Sequence, residues 1–302
     1  MSARRLFALS AATALLIAMT HPGFAQELKN KPLSVTTPDG LTISAQEYGN
    51  PNGPGIVFIH GFSQSHLSSM RQTDSELAKD FHIVTYDLRG HGNSDKPLEA
   101  ARYRDSKAWG DKVQAVIDAA GLKRPVLVGW SYAGRVISDY VATHGAGGIA
   151  GLNFVDASIK FIPEYVGDNL KNLPLMASED MLTNINATRV FLHGCFSKQP
   201  SADDFETKLA FNMMVPPKVR AGLGGRPLDA TAVMSKLTIP VLVSHGAEDK
   251  NAKVDTAKFT ASVIPGAKLS VYDGIGHSPF YEDAPPFNSE LATFVRTANK
   301  GN

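Results

Sequence analysis

The chain has 302 residues, 43% of them hydrophobic and 20% charged, with a formal net charge of +1. This length supports one large domain or one domain with an insert, and this much apolar content excludes a disordered chain. The near balance of charge excludes the electrostatic footprint of a nucleic-acid binder and a basic patch for anionic lipid.

The first 25 residues read as a cleavable export signal. Arg4 and Arg5 precede the apolar run LFALSAATALLIAM, and Gly23-Phe24-Ala25 supplies small residues for a cut before Gln26. The run is too short to span a bilayer comfortably and no second one is long enough, so stable membrane insertion is not expected. A periplasmic or secreted protein is expected, and the paired arginines also resemble a twin-arginine signal. Cleavage removes two arginines and no acid, which moves the net charge from +1 to −1. Cys195 is the only cysteine, so no intrachain disulfide can form and the core must carry the stability. Cys195 itself reads as a small buried hydrophobe.

From residue 33 the mature chain opens with a hairpin. LSVTT and LTISAQEY alternate around the turn residues Pro38-Asp39-Gly40. Six short, continuous apolar runs follow: GIVFI (55–59), HIVTY (82–86), PVLVG (125–129), LNFVD (152–156), PVLVS (240–244) and KLSVY (268–272). Continuous runs indicate strands buried on both faces, hence a parallel sheet. Helical segments are expected at 65–79, 106–120, 132–144, 253–263 and 286–298, and this alternation predicts a doubly wound α/β sheet of eight strands.

The rhythm breaks between Asp156 and Thr238, where helix signals continue and strand signals stop. Ser201 reads as an N-cap with Asp203 and Asp204 in the first turn, followed by Phe205, Leu209 and Met213 at helical spacing. Pro216-Pro217 can open another helix, Gly224-Gly225 can end it, and Asp229 can cap a third. The expected organisation is a signal over 1–25, a core over 26–157 and 236–302, and a helical lid over 158–235. The Met and Phe residues of the lid either line a substrate pocket or pack the lid onto the core; packing is the better reading for most. The segment GAGGIA (145–150) fits a dinucleotide-binding pattern but follows a helix instead of a strand, so Gly145 is better read as a helix C-cap.

The chemistry centres on VGWSYAG (128–134). A serine hydroxyl is a poor nucleophile unless a base is adjacent and a rigid element exposes it. A tight strand-to-helix turn exposes Ser131 and crowds the residues two before and two after it; Gly129 and Ala133 are small enough. The helix that follows points its N–H groups toward any nearby oxyanion.

GWSYAG after a strand resembles the nucleophile elbow of the α/β-hydrolase superfamily, although the family pattern ends in Gly where this chain has Ala133. The likeness covers about residues 30–298, and the overall pattern most resembles the serine esterase and non-metal haloperoxidase branch. It implies an α/β-hydrolase fold with a helical lid insert and the chain order Ser, acid, His. HGAEDK (245–250) offers Asp249 as the acid, with Glu248 adjacent, and GIGHSPF (274–280) offers His277 as the base. Asp156, past LNFV, is the runner-up acid, with a cap or turn role favoured. HGF (60–62) resembles the oxyanion loop, which implies the backbone N–H groups of Phe62 and Tyr132 as oxyanion donors. His60 reads as structural. Arg89, His91 and Ser94 of YDLRGHGNSDKP (86–97) are expected to hold their loop, and His245 to pack in the core.

The resemblance implies cleavage of a small-molecule ester or related acyl bond through an acyl-enzyme, without a cofactor. No histidine pair has metal-ligand spacing, so no metal site is indicated. Haloalkane dehalogenases and epoxide hydrolases of this fold attack carbon with an aspartate; a serine would form an ether that cannot be hydrolysed. Perhydrolases, hydroxynitrile lyases, C–C hydrolases and acyltransferases keep the same triad and remain alternatives, as does a non-catalytic binding protein.

Overall fold

A computed structural model describes residues 30–300. The expected signal segment therefore lies outside the described residues. Eight strands form one sheet in the order β1-β2-β4-β3-β5-β6-β7-β8. The first two are β1 (Asn30–Thr36) and β2 (Thr42–Gly49), an antiparallel hairpin closed by a turn in which Gly40 has φ +80°. β2 also runs antiparallel to β4 (His82–Tyr86). From there β3 (Gly55–Ile59), β5 (Val126–Trp130), β6 (Gly151–Val155), β7 (Val241–Gly246) and β8 (Lys268–Tyr272) are all parallel.

Every residue of β3, β4, β5, β6 and β7 is buried, which is why these strands read as unbroken apolar runs. Alternate residues of one strand feed opposite faces of the sheet. Val57 and Ile59 pack with Trp109, Val113 and Val116 of α3 (Ser106–Ala119) and with Val136, Ile137 and Tyr140 of α4 (Ala133–His144). Ile56 and Phe58 pack on the other face with Phe287, Leu291 and Val295 of a C-terminal helix, Ala284–Lys300. That helix buries a stripe at i, i+4 and i+8, a helical face.

Most boundaries shift by one or two residues, and two helices differ from the sequence reading in an informative way. The expected helix 65–79 is a short 3-10 turn, His66–Ser69, then α1 (Met70–Thr73) and α2 (Leu77–Asp80). Ser75 breaks it: its hydroxyl donates to the Gln72 carbonyl and accepts from Leu77 N–H, which takes the backbone out of the helical ladder. The C-terminal helix starts two residues earlier than expected and carries Pro285 and Pro286 in its first turn, where their missing N–H groups cost nothing.

Between β6 and β7 the chain is helical, with α5 (Leu173–Met176), α6 (Met181–Gly194), α7 (Ala202–Met213), α8 (Pro217–Leu223) and α9 (Thr231–Met234). Ser201 caps α7 by accepting from Asp204 N–H at 3.2 Å, Pro217 opens α8, and Asp229 accepts from Thr231 N–H at the start of α9. Asp180 caps α6 through Thr183 N–H at 2.8 Å, a signal the sequence reading missed. Phe205 and Leu209 bury against Leu192 inside this insertion, with Met213 packed beside them, so those residues serve its own packing. Beyond β7 come α10 (Val254–Val263), α11 (Pro279–Glu282) and the C-terminal helix, α12. Gly145 ends α4 with φ +71°, its N–H bonded to Val141 O, which disposes of the dinucleotide pattern. No helix among the described residues is long and apolar enough to cross a membrane.

Candidate active site

Parallel strands in matched register end at one rim. Ile59 pairs with Gly129, Trp130 with Val155, and Val155 with Ser244. The segments that leave β3, β5, β6, β7 and β8 therefore emerge on one side of the sheet, where catalytic groups gather in open α/β folds.

Ser131 follows β5 directly and has φ +57°, a left-handed conformation that costs a non-glycine residue roughly 1–3 kcal/mol. Its N–H donates to Val155 O at 2.9 Å, which anchors the turn to β6. The small neighbours have measurable reasons. A Cβ on Gly129 would sit 2.4 Å from Ile137 Cδ1, and one on Gly134 would sit 2.6 Å from the Ser158 carbonyl oxygen. Ala133 is fully buried, so the methyl group where the family pattern has glycine is accommodated. A Cβ on Gly61 would lie 3.1 Å from Ser131 Cβ, so the loop after β3 passes directly against the serine.

His277 is 2% exposed and held from three directions. Its N–H donates to Cys195 O at 2.9 Å, its carbonyl accepts from Trp130 Nε1 at 2.7 Å, and its Nδ1 meets Asp249 Oδ2 at 2.7 Å. The Asp249 carboxylate is fixed in turn, because Oδ1 accepts from Asn251 N–H at 2.7 Å and Ala252 N–H at 3.1 Å. Glu248, the adjacent alternative, is exposed to solvent. Trp130 ties the histidine to the serine turn, with its ring centroid 5.7 Å from that of His277. Among the described residues the Ser131 hydroxyl takes no hydrogen-bond partner, His277 Nε2 included. Such bonds are commonly long without substrate and tighten when it binds.

The Phe62 and Tyr132 N–H groups have no backbone carbonyl partner among the described residues. Around them stands an aromatic wall: the Phe62 ring lies 6.5 Å from Tyr132 and 6.4 Å from Phe191 of α6, and Tyr132 lies 5.9 Å from Trp109. A cavity of about 840 Å³ lies elsewhere, beside Arg71, Lys208 and Tyr281, and none of Ser131, Asp249 and His277 lines it.

The supporting residues behave as the sequence suggested. His60 Nε2 accepts from Leu88 N–H, and burial lowers its pKa to about 4. His91 Nε2 accepts from Ser63 N–H, and burial lowers its pKa to about 3. Neutral rings of this kind serve as acceptors that hold the loops together. Arg89 pairs with Asp39 at 2.6 Å, and Ser94 Oγ donates to Asp87 O. Burial raises the Cys195 thiol far above its ordinary pKa, so it is an inert packing group.

Asp156 goes beyond the expected cap or turn role. With φ +46°, its Oδ1 accepts from Gly246 N–H at 2.8 Å, joining β6 to the end of β7. Donor atoms of Asp156, Asp249 and His277 lie within 4.8 Å of one another, all buried. Among the described residues Asp156 Oδ2 and His245 Nδ1 lack hydrogen-bond partners, and His245 Nδ1 stands 3.7 Å from Asp156 Oδ1. Burial, reinforced by the Asp249 carboxylate, pushes the Asp156 carboxyl well above its ordinary range. Two acids past neighbouring strand ends were legible; their closeness was not.

The family model described as "Alpha/beta hydrolase family" matches residues 56–290. The chain belongs to this family, in the branch of the esterases and non-heme haloperoxidases. It is 36% identical to a Burkholderia cenocepacia protein assigned as an aryl esterase, with a TM-score of 0.86 over 89% of this chain and 100% of that one. The esterase RhEst1 from Rhodococcus sp. ECU1013 is 33% identical, with a TM-score of 0.83 over 90% and 100% of the two chains. The bifunctional esterase/perhydrolase DCH of Acinetobacter calcoaceticus is 26% identical over 87% of this chain and 99% of its own.

Proposed function

We propose that the protein is an exported serine hydrolase that cleaves a small carboxylic ester through an acyl-enzyme on Ser131. The observation that carries this reading is the 2.7 Å bond from His277 Nδ1 to Asp249, at the rim where Ser131 stands in its left-handed turn. With Nδ1–H donated to Asp249, His277 Nε2 is the free base. It takes the Ser131 proton as the hydroxyl oxygen bonds to the ester carbonyl carbon, and Asp249 stabilises the imidazolium. The Phe62 and Tyr132 N–H groups hold the oxyanion, worth about 3–4 kcal/mol for each donor of this kind in other enzymes. Collapse of the tetrahedral intermediate expels the alcohol, which takes the proton back from His277. Water, deprotonated by the same imidazole, then releases the acid and restores Ser131. The aromatic wall of Phe62, Tyr132 and Phe191 suits an ester with an aromatic or compact apolar group, in keeping with the aryl-esterase assignment of the similar Burkholderia cenocepacia protein. The insertion acts as a lid over a core of residues 26–157 and 236–302, and the leader, residues 1–25, directs export to the periplasm or beyond.

The similarity to a bifunctional esterase/perhydrolase favours one second reading, in which peroxide replaces water in the second step. A single experiment tests the scheme. The protein lacking residues 1–25 is treated with a fluorophosphonate and the adduct located by mass spectrometry, then p-nitrophenyl esters are turned over with and without peroxide. Labelling at Ser131 that disappears in His277→Ala is expected. Folded protein that takes no label would overturn the scheme.

A further inference from the structure

Arg220, on α8 of the insertion, is 2% exposed. Its guanidinium donates to five oxygens. Nη1 reaches Met176 O at 2.8 Å, Asn184 Oδ1 at 2.5 Å and Thr188 Oγ1 at 3.1 Å, and Nη2 reaches Asn212 O at 2.5 Å. Those four acceptors come from α5, α6 and α7. The fifth does not belong to the insertion: Nε donates to Ser63 Oγ at 2.8 Å, in the loop after β3. Among the described residues no carboxylate pairs with this cation, and burial alone lowers its pKa to about 10. A buried, unpaired charge is a poor way to stabilise a fold, because apolar side chains of the same volume serve as well or better. What the planar guanidinium provides is direction, with five donors in fixed geometry.

The direction matters because of what Ser63 is. It is fully buried with φ +61°, and its N–H donates to His91 Nε2 at 3.1 Å. A non-glycine residue persists in that conformation only when its surroundings over-determine it. Here Arg220 fixes the side chain and His91 fixes the backbone. The residue before Ser63 is Phe62, whose N–H is the proposed oxyanion donor.

We propose that Arg220 is a positioning residue that straps the helical insertion to the oxyanion loop through Ser63, so that the seating of the insertion sets the aim of the Phe62 N–H. The role given to Phe62 rests on the acyl-transfer reading above; the strap itself does not. From sequence alone Arg220 is one more basic residue on a short helix, and nothing marks its partner in the loop after β3.

The test is a double-mutant cycle of Ser63→Ala and Arg220→Lys with two readouts. One is amide hydrogen exchange of a peptide spanning residues 60–67, followed by mass spectrometry. The other is kcat and KM on p-nitrophenyl acetate. Ser63→Ala removes one bond and leaves the insertion's own four. It is expected to speed exchange over 60–67 roughly tenfold and to lower kcat roughly tenfold with KM little changed, while exchange within α6 stays as in the parent. Arg220→Lys is expected to loosen both segments, and adding Ser63→Ala to it to change the 60–67 peptide no further. Unchanged exchange in Ser63→Ala would show that Arg220 serves the insertion alone. Faster exchange with an unchanged kcat would equally overturn the claim about aim. If the parent turns over no ester, the acyl-transfer reading fails and the exchange arm still decides whether the strap exists. If Arg220→Lys does not fold, Ser63→Ala carries both readouts.

Discussion

Gly246→Ala is the sharpest perturbation the geometry offers. Gly246 ends β7, three residues before Asp249, and a Cβ built on it would stand 1.8 Å from the carbonyl oxygen of Gly276, next to His277. The Ile275 carbonyl oxygen would be 2.5 Å away. Both obstacles are backbone, so no rotamer change can relieve them. A tolerable carbon–oxygen contact is about 3.3 Å, so the two turns must separate by about 1.5 Å. Those turns carry the two partners of the Asp249–His277 bond, 2.7 Å long, and the same displacement would open it to roughly 4 Å, beyond hydrogen-bonding range. Overpacking a buried site of this kind costs about 1–3 kcal/mol, and loss of the 2.8 Å Gly246 N–H bond to Asp156 in the displaced turn adds about 1 kcal/mol. Expected outcomes are a melting temperature lower by roughly 5–15 °C in circular dichroism and a fall in kcat on p-nitrophenyl acetate of roughly 10²-fold or more. Gly147→Ala is the control, because nothing lies within 4 Å of its added methyl group. A Gly246→Ala variant that melts within about 2 °C of the parent and keeps kcat within threefold, on the order of 0.7 kcal/mol, would refute the steric argument.

Three further outcomes follow from the same cluster. Asp156 has a folded-state pKa raised above its unfolded value near 3.9, so the unfolded chain loses this proton first as pH rises, and the residue's cost to stability grows from about pH 4 upward and stays at its full value above the folded pKa. Asp156→Asn, which keeps the acceptor for Gly246 N–H, is therefore expected to melt higher than the parent by roughly 2 °C or more at pH 7, with the advantage shrinking toward pH 3.5 in a thermal-shift series. An advantage independent of pH would contradict this assignment. Asp249→Asn removes the carboxylate proposed to orient His277 and stabilise its imidazolium, and kcat is expected to fall roughly 10³–10⁴-fold at nearly unchanged stability, measured by ester turnover and melting. Trp130→Phe deletes the indole donor to the His277 carbonyl at 2.7 Å and should cost about 1–2 kcal/mol in urea unfolding; a smaller loss would mean that water or a neighbour replaces the bond.

Much of the fold was legible because its signals are local. The runs 55–59, 82–86 and 240–244 are apolar throughout because both faces of each strand are covered, and burial on both faces leaves no alternation to obscure. The serine turn was legible because crowding acts within a few residues, as the 2.4 Å clash at Gly129 shows. The pairing of Asp249 with His277 was legible because each follows a recognisable strand in the expected order. The break at Ser75 was not, since it depends on a hydroxyl competing with the helical backbone.

The amino-acid sequence by itself determined the strands, the turn that exposes Ser131 and the chain order of the three residues proposed as the triad, since each is encoded within one short segment. Only the tertiary structure decided that Asp156 shares a buried site with Asp249, that Gly246 must lack a side chain, and that Arg220 reaches Ser63. Those facts are distances between segments far apart in the chain. They arise when the strand ends converge on one rim and the insertion settles over it, and no local pattern of residues records where that convergence brings them.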